Sequence, residues 1–183
     1  MKQVISFSIL FLSILNYAHT QEKSFFSLSA KGGTGYTLED GYVLAGGKVD
    51  YFKQGYTYGF SVEGGFNLNI FGPHRDYTLV GVHLGKYKFI HPKWRYAFQG
   101  GMGYRWGQRD TEEVIEKNSS GLLGGLTYDY KSESYSDAGF ILQTGIRYLP
   151  TKFLGIGLDL QANLFLEEPM ISPSIVIEVG RLR

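Results

Sequence analysis

Apolar and polar residues alternate with a period of two along most of the chain. In 56–70, YTYGFSVEGGFNLNI, alternate positions carry aromatic and aliphatic side chains, and the positions between them carry mostly Thr, Gly, Ser, Glu and Asn. This alternation is typical of a β-strand with one apolar and one polar face. Similar segments, separated by turn-forming residues, cover 24–36, 42–51, 77–90, 95–107, 138–148, 154–165 and 171–182. The pattern therefore predicts eight strands and no helix.

Two segments leave the strand assignment open. In 77–90, two alternate sets of apolar residues compete for the same face, so the phase stays open between a regular strand and a strand with a β-bulge. The sets are Val80, Val82 and Leu84, and Leu79, Tyr87 and Phe89. Residues 122–130 are also strand-like, but a ninth strand would leave the two chain ends on opposite sides of an antiparallel barrel. We interpret them as part of an outer loop or a hairpin extension.

Strand length and the placement of aromatic residues favour a barrel that crosses a membrane. About 10–11 residues, tilted by about 40°, cover roughly 25 Å, the height of the lipid-facing band of such barrels. Aromatic residues lie at the strand ends on the apolar face and aliphatic residues lie between them, as in interfacial girdles. The predicted girdle consists of Tyr56, Tyr58, Tyr104, Trp106 and Tyr148.

The polar face would then line the interior of the barrel. Charges on it must pair with one another, because an unpaired buried charge is costly. The predicted lumen network consists of Lys31, Glu63, Arg105, Arg147, Asp159 and Glu178. Glu63 is expected at mid-barrel, opposite Lys31 or Arg105. The alternative interpretation makes the polar face the solvated outer face of a soluble sandwich.

The first 20 residues predict export. A single lysine precedes an apolar run at 4–15, and the small residues Ala18 and Thr20 offer two cleavage points. A run of this length suits a cleaved signal peptide at 1–20 better than the alternative, a retained membrane anchor. The barrel would then occupy 21–183. The chain has no cysteine, which excludes disulfides and thiolate sites, and its net charge of +1 gives no indication of nucleic-acid binding.

The connections between strands differ in length and predict an orientation. Tight turns at 52–55, 91–94 and 149–152 alternate with longer connections, the longest being a polar outer loop at 108–137. Bacterial outer-membrane barrels have short periplasmic turns and longer outer loops. Both termini are therefore expected in the periplasm.

Taken with the Gly-aromatic run GGMGYRW at 100–106, these features resemble the small outer-membrane barrels of the OmpA/OmpX transmembrane type. In particular the chain resembles the porin-family barrel proteins of Bacteroidetes, over about residues 21–183. The resemblance implies an all-β, eight-stranded antiparallel up-and-down transmembrane β-barrel in the outer membrane of a Gram-negative bacterium. It also implies folding by the barrel-assembly machinery, although the last residues, VGRLR, depart from the aromatic ending of such barrels. We expect no peptidoglycan-binding domain.

Residues that could carry chemistry are few. His74 lies in a loop, His83 in a strand and His91 at a turn, and none is two residues from a serine. A catalytic site assembled from distant strands, for instance His83 with Glu63, stays open. The acidic residues at 110–116 lack regular ligand spacing, and GGTG at 32–35 lacks the helix of a phosphate loop. We predict no catalytic, metal or cofactor site.

The sequence favours a non-enzymatic protein. An eight-stranded interior is just wide enough for side chains to fill, so a general diffusion pore is not expected. We predict a structural or surface-interaction role in the cell envelope, in contact with outer-membrane lipids and with a surface ligand at 108–137. No nucleic acid is expected as a partner, and a monomer is favoured. A small substrate-specific channel and a lipid-modifying enzyme are the alternatives.

Overall fold

The computed structural model describes residues 24–38, 40–67, 74–118 and 127–182, and the side chains of these except at 112–118 and 127–129. The predicted signal peptide at 1–20 and its cleavage point lie outside these residues. Within the described ranges, no helix is long and apolar enough to cross a membrane.

Eight antiparallel strands form one closed barrel, and each strand pairs with its neighbours in sequence while β8 pairs with β1. The predicted eight-stranded up-and-down barrel is therefore confirmed. The strands are β1 Ser24–Tyr36, β2 Gly41–Lys53, β3 Tyr56–Asn67, β4 Asp76–His91, β5 Trp94–Asn118, β6 Thr127–Tyr148, β7 Leu154–Phe165 and β8 Met170–Gly180.

The exterior of the barrel is apolar and the interior is largely polar. Phe60, Val82 and Leu158 expose 49%, 60% and 59% of their surface, whereas Glu63 and Glu178 expose 1% each. A soluble protein has the opposite distribution, because a large exposed apolar surface is unfavourable in water. The sandwich alternative is therefore wrong. A closed sheet with an apolar outer surface satisfies its backbone hydrogen bonds internally, as a strand that faces lipid must.

The barrel has two distinct ends. Both described chain ends, Ser24 and Leu182, lie at the end that also holds the turns between β2 and β3, β4 and β5, and β6 and β7. Gln54 and Gly55 form the first of these turns with φ of 51° and 83°, as a two-residue type I′ hairpin requires. We call this end the turn end. The other four connections lie at the opposite end, which we call the mouth.

Most of the expected outer loop at 108–137 is strand. β5 and β6 continue to pair through Asp110 and Ser132, and after register shifts they pair again as far as Asn118 and Thr127. Of the strand-like segment 122–130, residues 127–130 belong to β6 and the rest lies outside the described residues. The described residues thus form the hairpin extension, one of the two interpretations of this segment, and both faces of this hairpin stand beyond the apolar band. Neither face needs apolar side chains there, so the two-residue alternation is lost.

β4 keeps one phase as far as Phe89. Val80, Val82 and Leu84 lie on the outer face, and Leu79, Tyr87 and Phe89 lie on the inner face. A register shift against β5 occurs only between Phe89 and His91. The ambiguity in the sequence arose because this strand places large apolar residues inside the barrel as well as outside it.

Candidate functional site: the lumen and the mouth

Lys31 and Glu63 form an ion pair in the middle of the lumen. Lys31 on β1 and Glu63 on β3 both pair with Gly46 on β2, the strand that lies between them. Lys31 Nζ also donates to Gln161 Oε1 at 2.8 Å, and Tyr77 donates its hydroxyl to Glu63 Oε1 at 2.8 Å. The structure thus brings Glu63 to Lys31 and not to Arg105, the other partner considered from the sequence.

A second charged group lies nearer the turn end. Arg147 donates to both carboxylate oxygens of Asp159, at 2.6 and 2.8 Å, and its Nε lies 3.6 Å from Glu178 Oε2. Glu178 also forms an ion pair with Arg95, which the sequence prediction did not include. Arg95 lies on the polar face of β5, so the alternation predicts that it points inward. The alternation does not predict its partner Glu178, which lies on β8 across the barrel.

Lys48 centres a third polar group that was not predicted as part of the network. Its Nζ lies 3.2 Å from Asp50 Oδ1 and donates to Gln143 Oε1 at 3.0 Å. Gln99 contacts the same lysine and donates to Asp50 Oδ1 at 3.0 Å and to Thr57 Oγ1 at 2.8 Å. Gln143 also donates to Asp159 Oδ2 at 2.6 Å, so a neutral amide links Lys48 on β2 to Asp159 on β7.

Aromatic side chains close the lumen at the turn end. Phe25 and Phe52 stack with their ring centroids 4.6 Å apart, and Tyr87 packs edge-on against Phe52 at 5.1 Å. The Arg95 guanidinium lies 4.3 Å from the centre of the Phe52 ring, a cation–π contact. We call Phe25, Phe52 and Tyr87 the turn-end plug. Phe52 was assigned to a turn from the sequence, and Tyr87 was ambiguous.

A second apolar group closes the lumen below the mouth. Its members are buried side chains from five strands, which pack on one another inside the barrel. These mouth-plug residues are Tyr42, Tyr77, Leu79, Ile141, Phe165 and Met170. The lumen is therefore a polar section between two apolar plugs, rather than the uniformly small and polar interior expected from the sequence. A cavity of about 20 Å³ lies within the polar section, lined in part by Arg95, Arg147 and Glu178.

The mouth holds a larger cavity of about 200 Å³ above the mouth plug. Arg105 lies in its wall and donates to both carboxylate oxygens of Asp137, at 3.1 and 3.0 Å. The guanidinium groups of Arg105 and Arg109 lie 5.7 and 5.8 Å from the centre of the Tyr135 ring. Arg75 reaches Glu168 Oε1 at 3.5 Å. The mouth is thus a cleft in which arginine, carboxylate and aromatic groups alternate.

The projecting hairpin is tied to the neighbouring connection between β3 and β4. Asp110 accepts hydrogen bonds from the Ser132 hydroxyl and from the backbone N–H of His74, the latter at 3.0 Å. These two bonds hold the pKa of the Asp110 carboxyl below its ordinary value, although its slight desolvation acts in the opposite direction. Asp110 is therefore ionised at neutral pH and joins the two segments. The other acidic residues of this run lie at 112–118, whose side chains are not among those that the structure describes.

The predicted girdle residues all point outward and lie at two levels. Tyr56, Tyr58 and Tyr148 lie near the turn end, and Tyr104 and Trp106 lie near the mouth. Trp94, placed in a turn by the sequence analysis, is the first residue of β5 and packs against Tyr148 at 5.1 Å.

His83 lies beside Ser61, not beside Glu63. Ser61 Oγ and His83 Nε2 are 2.7 Å apart, and both side chains are buried in the lumen. His83 Nδ1 has no hydrogen-bond partner among the described residues, so no third group orients the imidazole as in a catalytic triad. The described part of the chain also contains no group of three or more His, Asp or Glu residues placed to hold a metal ion.

No protein-family model matches the chain, and no curated protein matches it. Among solved structures, Neisserial surface protein A matches with a TM-score of 0.63 and 9% identity, over 86% of this chain and 97% of that one. A major outer membrane protein from Thermus thermophilus matches with a TM-score of 0.58 and 9% identity, over 87% and 100%. Ail of Yersinia pestis, in complex with the heparin analogue sucrose octasulfate, matches with a TM-score of 0.56 and 13% identity, over 86% and 97%. The chain therefore has the fold of the small eight-stranded outer-membrane β-barrels.

Proposed function

We propose that the protein is an outer-membrane barrel that acts in surface interaction and does not conduct solutes or catalyse a reaction. The closed lumen carries this proposal. Two apolar plugs flank a polar section in which the charged groups already pair with one another, so the interior offers neither a continuous aqueous path nor unused charge for a permeant ion. The part of the molecule left for a partner is the mouth.

The mouth and the β5–β6 hairpin supply the contact surface. From the girdle residue Trp106 to Asn118, β5 runs for about 40 Å along the strand, far longer than a turn needs. Arg109 and Tyr135 stand at the base of this hairpin, beside the mouth cavity. Arginine and tyrosine are among the residues that most often anchor protein interfaces. Ail, which shares the fold, is known in complex with a sulfated sugar; the mouth of this chain has mixed charges, so we propose only that it binds an external ligand.

The same features support a proposed orientation. Short turns at one end and long strand extensions at the other are the pattern of barrels whose short turns face the periplasm. We propose that the turn end and both termini face the periplasm, that residues 1–20 direct export and are cleaved, and that the barrel-assembly machinery inserts residues 21–183 as a monomer.

Membrane fractionation tests the proposal that the protein is an outer-membrane barrel. The protein should partition with outer membranes and migrate faster in detergent gels before heating than after it, as a folded barrel does. Recovery in the soluble periplasmic fraction would overturn it.

Shortening the hairpin tests the role of its projecting part. Replacing 112–130 by Asn-Gly joins Thr111 to Lys131 through a two-residue turn and keeps the pairing of Asp110 with Ser132. Cells that display the native chain are screened against arrays of glycans and extracellular matrix proteins, and cells that display the shortened chain serve as the comparison. Binding should be lost while heat-modifiability is kept. Binding that survives the replacement would contradict the proposal.

The Ser61–His83 contact favours one other candidate, a lipid-modifying enzyme, because a serine beside a histidine is the core of many hydrolases. Its burial in the lumen and the unpartnered His83 Nδ1 argue against that reading. Overexpression of the native chain should therefore leave the lipid profile of the host unchanged. A new lysophospholipid or acylated product that disappears with His83→Ala would establish the enzyme instead.

A further inference from the structure

The described residues at the two ends of the barrel have net charges of opposite sign. Among the described residues, the mouth holds seven acidic and four basic side chains, whereas every charged side chain exposed at the turn end is basic. The acidic residues near the turn end, Asp50, Asp159 and Glu178, all point into the lumen and are buried. The exposed basic residues of the turn end, which we call the basic collar, are Lys53, Lys86, Lys88, Lys93, Lys152 and Arg181.

Three residues of the collar face lipid rather than the turns. In the sheet, Lys53 on β2 lies opposite Tyr56 on β3, and Tyr56 lies opposite Lys86 on β4. Lys53, Tyr56 and Lys86 therefore form one row on the outer surface. Lys86 Nζ lies 5.4 Å from the centre of the Tyr56 ring. Lys88 lies two residues further along β4, opposite Tyr96. Lys53 and Lys86 each stand one strand away from Tyr56, on either side of it, so their flexible side chains can extend over the tyrosine ring toward the same phosphate.

The row lies at the level of the girdle. Tyr56 and Tyr148 mark the height at which the apolar band ends, and lysines at that height can extend their ammonium groups toward the headgroups while their methylene stems stay in the apolar region. No acidic side chain is exposed among the described residues of this end, so the attraction of Lys86 and Lys88 for an anion is not offset by these residues.

We propose that Lys53, Lys86 and Lys88, with Tyr56, bind the phosphate of an anionic glycerophospholipid. The inference rests on the proposed membrane insertion and adds the class of lipid and the place where it binds. The girdle level selects a lipid over a soluble acidic partner, because a soluble partner would be drawn first to the turns. Each lysine near an anionic membrane surface strengthens binding about fivefold at low salt.

Trp94 and Trp106 allow lipid binding to be assigned to one end of the barrel, because they lie near its opposite ends. The mature chain is refolded into phosphatidylcholine nanodiscs that contain a small fraction of headgroup-labelled dansyl phosphatidylglycerol. Energy transfer is measured from Trp94 in a Trp106→Phe background and from Trp106 in a Trp94→Phe background. We expect dansyl lipid to be enriched around Trp94 and not around Trp106, and the enrichment to fall as salt is raised.

The combined variant Lys53→Gln, Lys86→Gln, Lys88→Gln should abolish the enrichment around Trp94. The matched control Lys131→Gln removes one lysine from the mouth and should leave it unchanged. Equal transfer from both tryptophans, or enrichment that survives the triple substitution, would overturn the inference. A chain that inserts into neutral nanodiscs without enriching the labelled lipid defeats this inference alone, whereas a chain that does not insert defeats the proposed function.

Discussion

Arg147 on β6 and Asp159 on β7 each lie opposite a glycine of the other's strand: Arg147 pairs with Gly157, and Asp159 pairs with Gly145. The two charged side chains therefore meet diagonally inside the barrel over two positions without side chains. Their two hydrogen bonds, at 2.6 and 2.8 Å, depend on that space. The charged pair in the lumen thus depends on glycines of the strands, and substitutions can test the pair and the glycines separately.

Removal of one partner of this pair should be costly. In the variant Asp159→Asn the Arg147 guanidinium loses the carboxylate that accepts its two short hydrogen bonds and keeps the longer 3.6 Å contact of its Nε with Glu178, which should lower the free energy of unfolding by about 3 kcal/mol. Urea unfolding in phospholipid vesicles, followed by tryptophan fluorescence, measures this loss. The double variant Arg147→Met, Asp159→Leu removes both charges and should recover most of the stability. Equal stability of Asp159→Asn and the native chain would refute the role of the pair.

The space at Gly145 should be required. A Cβ at this position would collide with Asp159 Oδ1 and come within 3.0 Å of Arg147 Nη1. Gly145→Ala should therefore lower the free energy of unfolding by about 1–3 kcal/mol, the usual cost of overpacking. Gly100→Ala is the matched control, because a Cβ there meets only Leu142 Cδ2 at an ordinary 3.5 Å. Similar losses in the two variants, measured by the same urea titration, would speak against the steric argument.

The turn-end plug should contribute more to stability than a lipid-facing aromatic residue does. Phe52→Ala leaves a cavity beside Phe25 and removes the ring against which Arg95 packs, so we expect a loss of about 3–5 kcal/mol. Phe98→Ala, on the outer surface, should cost less because lipid fills the space.

Planar-bilayer recordings on the native chain should show no stepwise conductance. Such steps in the native chain would mean that the plugs do not seal the lumen.

Some contacts of the lumen could be read from the sequence and others could not. The two-residue turn at Gln54–Gly55 fixes the register of β2 against β3 and sets Glu63 opposite Gly46, whereas the turn predicted at 52–55 would pair Tyr51 with Tyr56 and set Glu63 opposite Leu44. The β3–β4 connection is longer and fixes no register, so nothing in the sequence places His83 diagonally from Ser61. The alternation thus predicts which residues point inward, and only tight turns predict which of them meet.

The plugs were missed for a different reason. A rule that assigns apolar residues to the outside and polar residues to the inside fails for Phe52 and Tyr87, which are apolar and inside. A narrow barrel must exclude water at its ends as well as pair its charges in the middle, and large rings do this. The charged residues Lys31, Glu63, Arg147 and Asp159 obey the rule because their partners are all within the same polar section.

The Ser61–His83 contact should stabilise the fold without supporting catalysis. Ser61→Ala leaves His83 Nε2 buried without its partner, which should lower the free energy of unfolding by about 1–3 kcal/mol. Ser172→Ala is the matched control, because Ser172 is equally buried and its Oγ has no hydrogen-bond partner among the described residues, so its removal should be nearly neutral. Urea unfolding ranks the two variants, and mass spectrometry of membrane lipids from overexpressing cells gives the second readout. If Ser61→Ala keeps native stability but alters the lipid profile, the contact belongs to an enzyme and not to the framework of the lumen.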